Sequence, residues 1–425
     1  MKYLFLSITL LLLLSCNNNE DTKITNKADY EKFLVSEKPK TTSKYFDLWN
    51  SKIKPDSIQL TSFGIVAGQY ESYFKETGEI EYLKKAEKAL EKAVEIAATG
   101  RSGYRRALAR NYISQHRFKE ALQLAESARK IGAGLTETQG LLFDVHMELG
   151  NYQLAKSYLD SITDLSNFGY LIRAAKWNDH NGDLTSTINY MEQAKKEAEK
   201  YKSESLMLWS YTNLADYYGH AGRIKDSYEH YLKSLALDSQ NAYAKKGIAW
   251  IVFSYENNPE EALRILDSVT KNHDTPDYYL LKAEIAEYMN DKKEQLLNLD
   301  EYLLRVKNPN YGDMYNAYNI NLYLNKTHEL NKSLELAKRE VENRPTPTSY
   351  NFLAYSYLKL GEKEKALEIV KNHIEGKTFE PSVLYCTAEI YKANGILSKT
   401  EELKEELLGA VYELGPNMKN KIESL

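Results

Sequence analysis

The chain has 425 residues, with 56 Lys and Arg against 60 Asp and Glu and a formal net charge of −4. That balance supplies no global attraction to nucleic acid or to an anionic membrane surface. Only two cysteines are present, Cys16 and Cys386, too few for a disulfide framework.

The first element is a leader. Met1-Lys2 is a short positive start, and the apolar run 3–14, broken only by Ser7 and Thr9, is too short for a spanning helix and reads as a signal-peptide core. Leu13-Leu14-Ser15-Cys16 resembles the bacterial lipobox. The resemblance implies removal of residues 1–15 and acylation of Cys16. It also implies anchorage at the outer membrane of a Gram-negative bacterium, on the periplasmic or the cell-surface face. Polar residues follow, and 16–27 are expected to form a lipidated Cys with a flexible tether. Residues 28–59 carry two expected helices, near 30–34 and 44–52, that would cap the N-terminal end of the body. Past residue 16 no apolar stretch reaches the length of a bilayer span.

Residues 60–414 repeat. Tyr350-x2-Leu353-Ala354-x2-Tyr357…Gly361…Ala366-x3-Val370 has the order and spacing of Arg105-x2-Leu108-Ala109-x2-Tyr112…His116…Ala121-x3-Ala125. A pattern of about 34 residues of this kind resembles the tetratricopeptide repeat family. It implies an all-α, right-handed α-solenoid of about ten helical hairpins, beginning near residues 60, 102, 136, 168, 207, 241, 276, 311, 347 and 381. His116, Gly150, Gly361 and Gly395 fall at equivalent turns, with Asn290 and Asn325 in the same slot. Glycine, and next best asparagine, suit the left-handed conformation such a turn needs. The unit at 241 has a longer turn, in which Pro259 should start the second helix; the unit at 311 fits least well. Ala109, Ala175, Ala215, Ala283, Ala354 and Ala388 are small residues at expected helix crossings. Gly415-Pro416 ends the last helix and leaves 415–425 as a tail. Because each hairpin shelters only its neighbours, the expected shape is an elongated curved rod with an open concave groove.

Enzyme signatures are absent. His328-Glu329 begins like a zinc-protease motif, but Lys332 stands where its second His belongs. Gly132-Ala133-Gly134 lacks the third glycine of a dinucleotide loop. Gly376-Lys377-Thr378 lacks the preceding strand and glycine of a phosphate loop. Cys386 reads as a packed, inert thiol. No catalytic residue, resident metal or cofactor is expected.

In this family the concave face is lined by first-helix residues outside the packing pattern. Here those residues are Arg106, Arg110, Asp144, Arg173, Lys176, Asp179, His180, Trp209, Asn213, Asp216 and His220. Asp144, Lys176 and Asp216 align between units, as do His180 and His220. Three readings of this face stay open. The first is a groove for an acidic or carboxylate-ended peptide, with arginine forks and a Trp209 anchor. The second is a metal or polar-ligand site at His180 and His220. The third is a solvated face whose arginines pair with Asp144 or Glu148. The expected function is a membrane-anchored, non-enzymatic scaffold that binds a protein or peptide and no nucleic acid. The alternative is surface capture of glycans on Trp177, Trp209 and Trp250, followed at a distance by a metal-dependent enzyme.

Overall fold

The computed structural model describes residues 23–425 except 36, 55 and 57. The signal peptide, Cys16 and the first part of the tether lie outside the described residues. Among the described residues every regular element is helical. Two short helices, α1 (Lys27–Tyr30) and α2 (Lys44–Asn50), precede ten antiparallel hairpins. These are α3 (Leu60–Thr77) with α4 (Ile80–Ile96), α5 (Arg101–Ser114) with α6 (Phe118–Ile131), α7 (Leu135–Glu148) with α8 (Tyr152–Asp160), α9 (Phe168–His180) with α10 (Leu184–Lys200), and α11 (Glu204–His220) with α12 (Ile224–Leu237). They continue as α13 (Ala242–Trp250) with α14 (Pro259–Thr270), α15 (Asp277–Tyr288) with α16 (Lys292–Val306), α17 (Asn316–Leu322) with α18 (Leu330–Asn343), α19 (Pro347–Lys359) with α20 (Lys363–His373), and α21 (Pro381–Ala393) with α22 (Leu397–Gly409). The helices α23 (Val411–Leu414) and α24 (Lys419–Glu423) close the chain. The chain is therefore an all-α solenoid of tetratricopeptide-like hairpins.

The local chemistry explains the hairpins. Side chains of Asn167, Asp183, Asn241, Asn258, Asp291 and Thr346 accept backbone N–H groups at helix starts, satisfying donors that the helix itself leaves open. The first helix of each unit ends in a left-handed residue, including His116, Gly150, Asn290, Gly361 and Gly395. Pro259 opens α14 as expected. The eighth hairpin differs: α17 runs on as a π-helical turn over Tyr323–Thr327 that contains Asn325, and His328 takes the left-handed place instead. The extra residue of that wider turn moves the exit past Asn325. The small-residue slots are closed contacts, with Ala109, Ala175, Ala215, Ala354 and Ala388 fully buried.

The expected open rod is corrected by contacts between distant hairpins. All the tips joining first to second helices lie on one edge of the ribbon, and all the junctions between hairpins lie on the other. The tip of the first hairpin meets the junction after the sixth, where Thr77 O accepts the Asp274 N–H at 2.7 Å. The third tip meets the junction after the eighth through Arg344 and Glu148, 2.7 Å apart and 196 residues distant in sequence. The fourth tip, at Gly182, is covered by Phe379, and Gly219 near the fifth by Tyr412. These four contacts share an offset of five hairpins, the second tip reaches one further, with the His116 carbonyl accepting from Asn343, and the solenoid winds until one edge of the ribbon stacks on the other. A buried seam of Ile80, Leu83, Tyr279, Tyr302, Tyr311 and Tyr315 joins the first, seventh and eighth hairpins, so apolar burial as well as hydrogen bonding holds the winding.

The N-terminal cap also differs from expectation. Helix α2 does pack on the first hairpin, through Phe46 against Val66 and Tyr73. The segment before it crosses to the middle of the molecule. There Glu256 accepts the N–H groups of Ile24 and Thr25 at 2.8 and 2.6 Å, and Tyr30 donates to Glu261 at 2.9 Å. Residues 23–27 are thus seated on the sixth hairpin, which corrects the free tether expected there.

Candidate functional site: the inner face and its cavity

From the second hairpin on, each first helix sets one residue on the inner side of the winding, directly after the slot that is small in most units. Along the chain this row reads Arg110, Asp144, Lys176, Asp216, Trp250, Glu284, Asn321, Tyr355 and Glu389. Three of these positions were aligned from the sequence. The others occupy the same register and could have been found by extending it.

Most of the expected binding residues are already tied to other groups of the chain. Arg173 forms a fork on Asp144, with N–O distances of 3.0 and 2.6 Å, and also donates to the Gly140 and Gly169 carbonyls. Arg106 donates to the carbonyls of Ala133 and Gly134 and to the Thr138 hydroxyl, capping a junction rather than reaching inward. Lys176 and Arg344 share Glu148, at 2.8 and 2.7 Å. Burial opposes ionisation of Glu148, but these two cations outweigh it and hold its carboxyl below the ordinary range. Asp216 accepts from the Tyr231 and Tyr243 hydroxyls; burial nevertheless raises its pKa against those hydrogen bonds. The Asn213 amide is bonded to the Trp209 carbonyl at 2.8 Å.

His180 and His220 do not converge on a metal site. His180 stacks on Tyr152 with ring centroids 4.0 Å apart, and burial together with Lys176 lowers its pKa. His220 stands edge-on to Tyr217 and lies in the field of Asp179 and Glu413. Burial raises the pKa of both these carboxyls, His220 opposes the shift, and Glu380 reinforces it. Among the described residues no group of three or more His, Cys, Asp or Glu side chains has metal-holding geometry. The expected tryptophan platforms separate as well. Trp177 packs against Phe143 and Met147, and Trp250 donates to the Tyr412 carbonyl at 3.1 Å. Trp209 stays 40% exposed, edge-on to Phe168.

Arg110 stands apart. Its guanidinium makes no hydrogen bond or ion pair with a described residue. Desolvation and the neighbouring Arg173 hold its pKa below the usual value, with Asp144 and Glu71 in opposition. It is an exposed cation on the inner face, in the field of two carboxylates but bonded to neither.

One concavity was not foreseen from the sequence. A cavity of about 680 Å³ lies between the inner faces of α15, α17, α19 and α21 and is walled by Leu414, Asn417, Met418 and Lys421 of the tail. Glu284 and Glu287, Tyr318 and Asn321, Asn351 and Tyr355, and Tyr385 and Glu389 enter it from successive helices, at the i, i+3 and i+4 spacing of one helix face. Cys386 borders it, and burial pushes its thiol up to about 12, so it stays protonated and unreactive.

Comparison with known proteins gives three findings. The family described as "Virulence factor membrane-bound polymerase, C-terminal" matches residues 269–374, which include much of the cavity wall. A tetratricopeptide repeat protein from Parabacteroides merdae is 14% identical over 61% of this chain and 97% of its own, with a TM-score of 0.34. Yeast Tom70 is 11% identical over 86% of this chain and 93% of its own, also with a TM-score of 0.34. No curated protein matches the sequence. The helical-repeat architecture rests on the ten hairpins themselves. Among the described residues no helix is long and apolar enough to cross a membrane.

Proposed function

We propose that this chain is a lipid-anchored, non-enzymatic binding protein of the bacterial outer membrane that takes a protein or peptide partner on its inner face. Arg110 is the observation that carries the reading. An exposed guanidinium on the inner face that forms no direct ion pair with the nearby Asp144 and Glu71 carboxylates is suited to a carboxylate delivered by a partner, in the two-point geometry that arginine favours. The exposed Trp209, three hairpins along the same face, adds an aromatic anchor. The wound framework keeps both in place before binding, which lowers the ordering cost of association.

Two measurements test this. Cys16→Ser is expected to move the protein from the membrane fraction to the soluble one; retention in the membrane would remove the anchor. A photo-crosslinking residue at Trp209 is expected to capture a discrete protein in intact cells, and the added change Arg110→Glu to abolish the capture. Capture that survives Arg110→Glu would place the partner elsewhere.

A further inference from the structure

We propose that the cavity between α15, α17, α19, α21 and the C-terminal tail binds an uncharged, hydroxyl-rich ligand of the size of a short oligosaccharide. This goes beyond the partner reading above and rests on different residues.

The volume of about 680 Å³ falls in the range that holds small-molecule ligands, roughly 300–1,000 Å³. Charge selects against ions. Three lysines and three glutamates line the cavity, and they neutralise one another. Lys326 bridges Glu287 and Lys359 bridges Glu389, at 2.5 and 3.5 Å, while Lys421 acts on Glu284.

The unpartnered groups are instead neutral or close to it. Asn321 is exposed on the cavity wall, and its amide can both donate to and accept from a hydroxyl. No protein group donates to the Glu284 carboxyl. Burial, reinforced by Glu287, pushes it up to about 7, so near neutrality it can either donate to or accept from a hydroxyl. Tyr355 donates to Glu389, which Lys359 and Tyr385 also hold, so that this carboxylate is fixed in the wall. Tyr318, 42% exposed, offers a ring on which the apolar face of a sugar can lie. Acceptors at several points around an aromatic surface match a molecule with many O–H donors and no net charge.

The test uses the mature chain without lipid, applied to arrays of neutral oligosaccharides, acidic oligosaccharides and peptides, with isothermal titration calorimetry on any hit. Neutral oligosaccharides are expected to bind. Tyr318→Ala, an exposed position that spares the fold, and Asn321→Ala should each weaken binding about tenfold, the equivalent of one lost contact. Arg110→Glu should leave that affinity unchanged, which separates this site from the partner surface. Silence of the neutral sugars, binding by acidic sugars or peptides alone, or an affinity indifferent to Tyr318→Ala would each overturn the proposal.

Discussion

At the scale of single residues, the inner face mixes satisfied and unsatisfied groups, and pH separates them. The Glu284 carboxyl is raised by burial to about 7, above its unfolded value. Its ionised form therefore opposes folding: stability falls as pH rises from the unfolded pKa through about 7. Glu284→Gln should stabilise the protein by about 1–3 kcal/mol at pH 8, with the gain in thermal midpoint vanishing near pH 4. An equal gain at both values would mean that the carboxyl is not desolvated. Ala354, fully buried, marks a helix crossing, and Ala354→Leu should cost about 1–3 kcal/mol by overpacking; an unchanged midpoint would place it outside the seam. Gly247 is tighter still, because an added Cβ would stand 2.2 Å from the Tyr231 ring, so Gly247→Ala should be more damaging than a usual helix Gly→Ala change. Sequence reading aligned Asp144, Lys176 and Asp216 through the repeat, and singled out Arg110 by its spacing of four from Arg106. It stopped short of Glu284, Tyr355 and Glu389, although the small-residue slot precedes them too. It also left the pairing of Arg173 with Asp144 undecided, since facing residues on neighbouring helices can bind a ligand or each other.

At the scale of elements, the hairpins were legible because packing between adjacent helices repeats every 34 residues or so and leaves a periodic trace. The π-helical turns at 251–255 and 323–327 leave no such trace, which is why Asn325 was misplaced. The contacts between stacked edges are equally silent in the sequence. They join residues nearly 200 apart through one-off groups such as Arg344, Phe379 and Tyr412. Among them the Lys176–Glu148–Arg344 triad should be the most sensitive. Glu148→Gln leaves two enclosed cations without their carboxylate and should cost about 1–3 kcal/mol, read by urea unfolding at pH 7. The folded pKa of Glu148 is lowered, so its contribution is present above the unfolded Glu pKa and is lost as pH falls through the folded value. The difference between variant and parent should accordingly shrink in acid. The docked N-terminal segment belongs to the same class. Glu256→Ala should free Ile24 and Thr25 and speed proteolytic cleavage between 23 and 35, while the hairpins remain resistant.

At the scale of the molecule, winding converts a nearest-neighbour stack into a body with long-range closure. Open solenoids unfold piecemeal because each unit answers only to the next. Here the first hairpin is pinned to the sixth through eighth and the fourth to the ninth, so unfolding should be sharper than repeat count alone suggests. Arg344→Glu, which sets like charges against Glu148, should broaden the denaturation transition and enlarge the radius of gyration in solution scattering. An unaltered scattering curve would argue that the stacked edges carry little of the shape. None of this closure could be read from the repeat pattern, which describes a ribbon and is blind to how tightly the ribbon coils.

The five-hairpin offset also restricts how such a chain can grow. Repeat arrays ordinarily lengthen by copying a unit into the middle, since the newcomer meets the same neighbours as the old one. An extra hairpin between the fourth and sixth would here pull Glu148 away from Arg344, Gly182 from Phe379 and the first tip from Asp274. Duplication should be tolerated only beyond the ends, and the number of units in the interior becomes a fixed property of the coil.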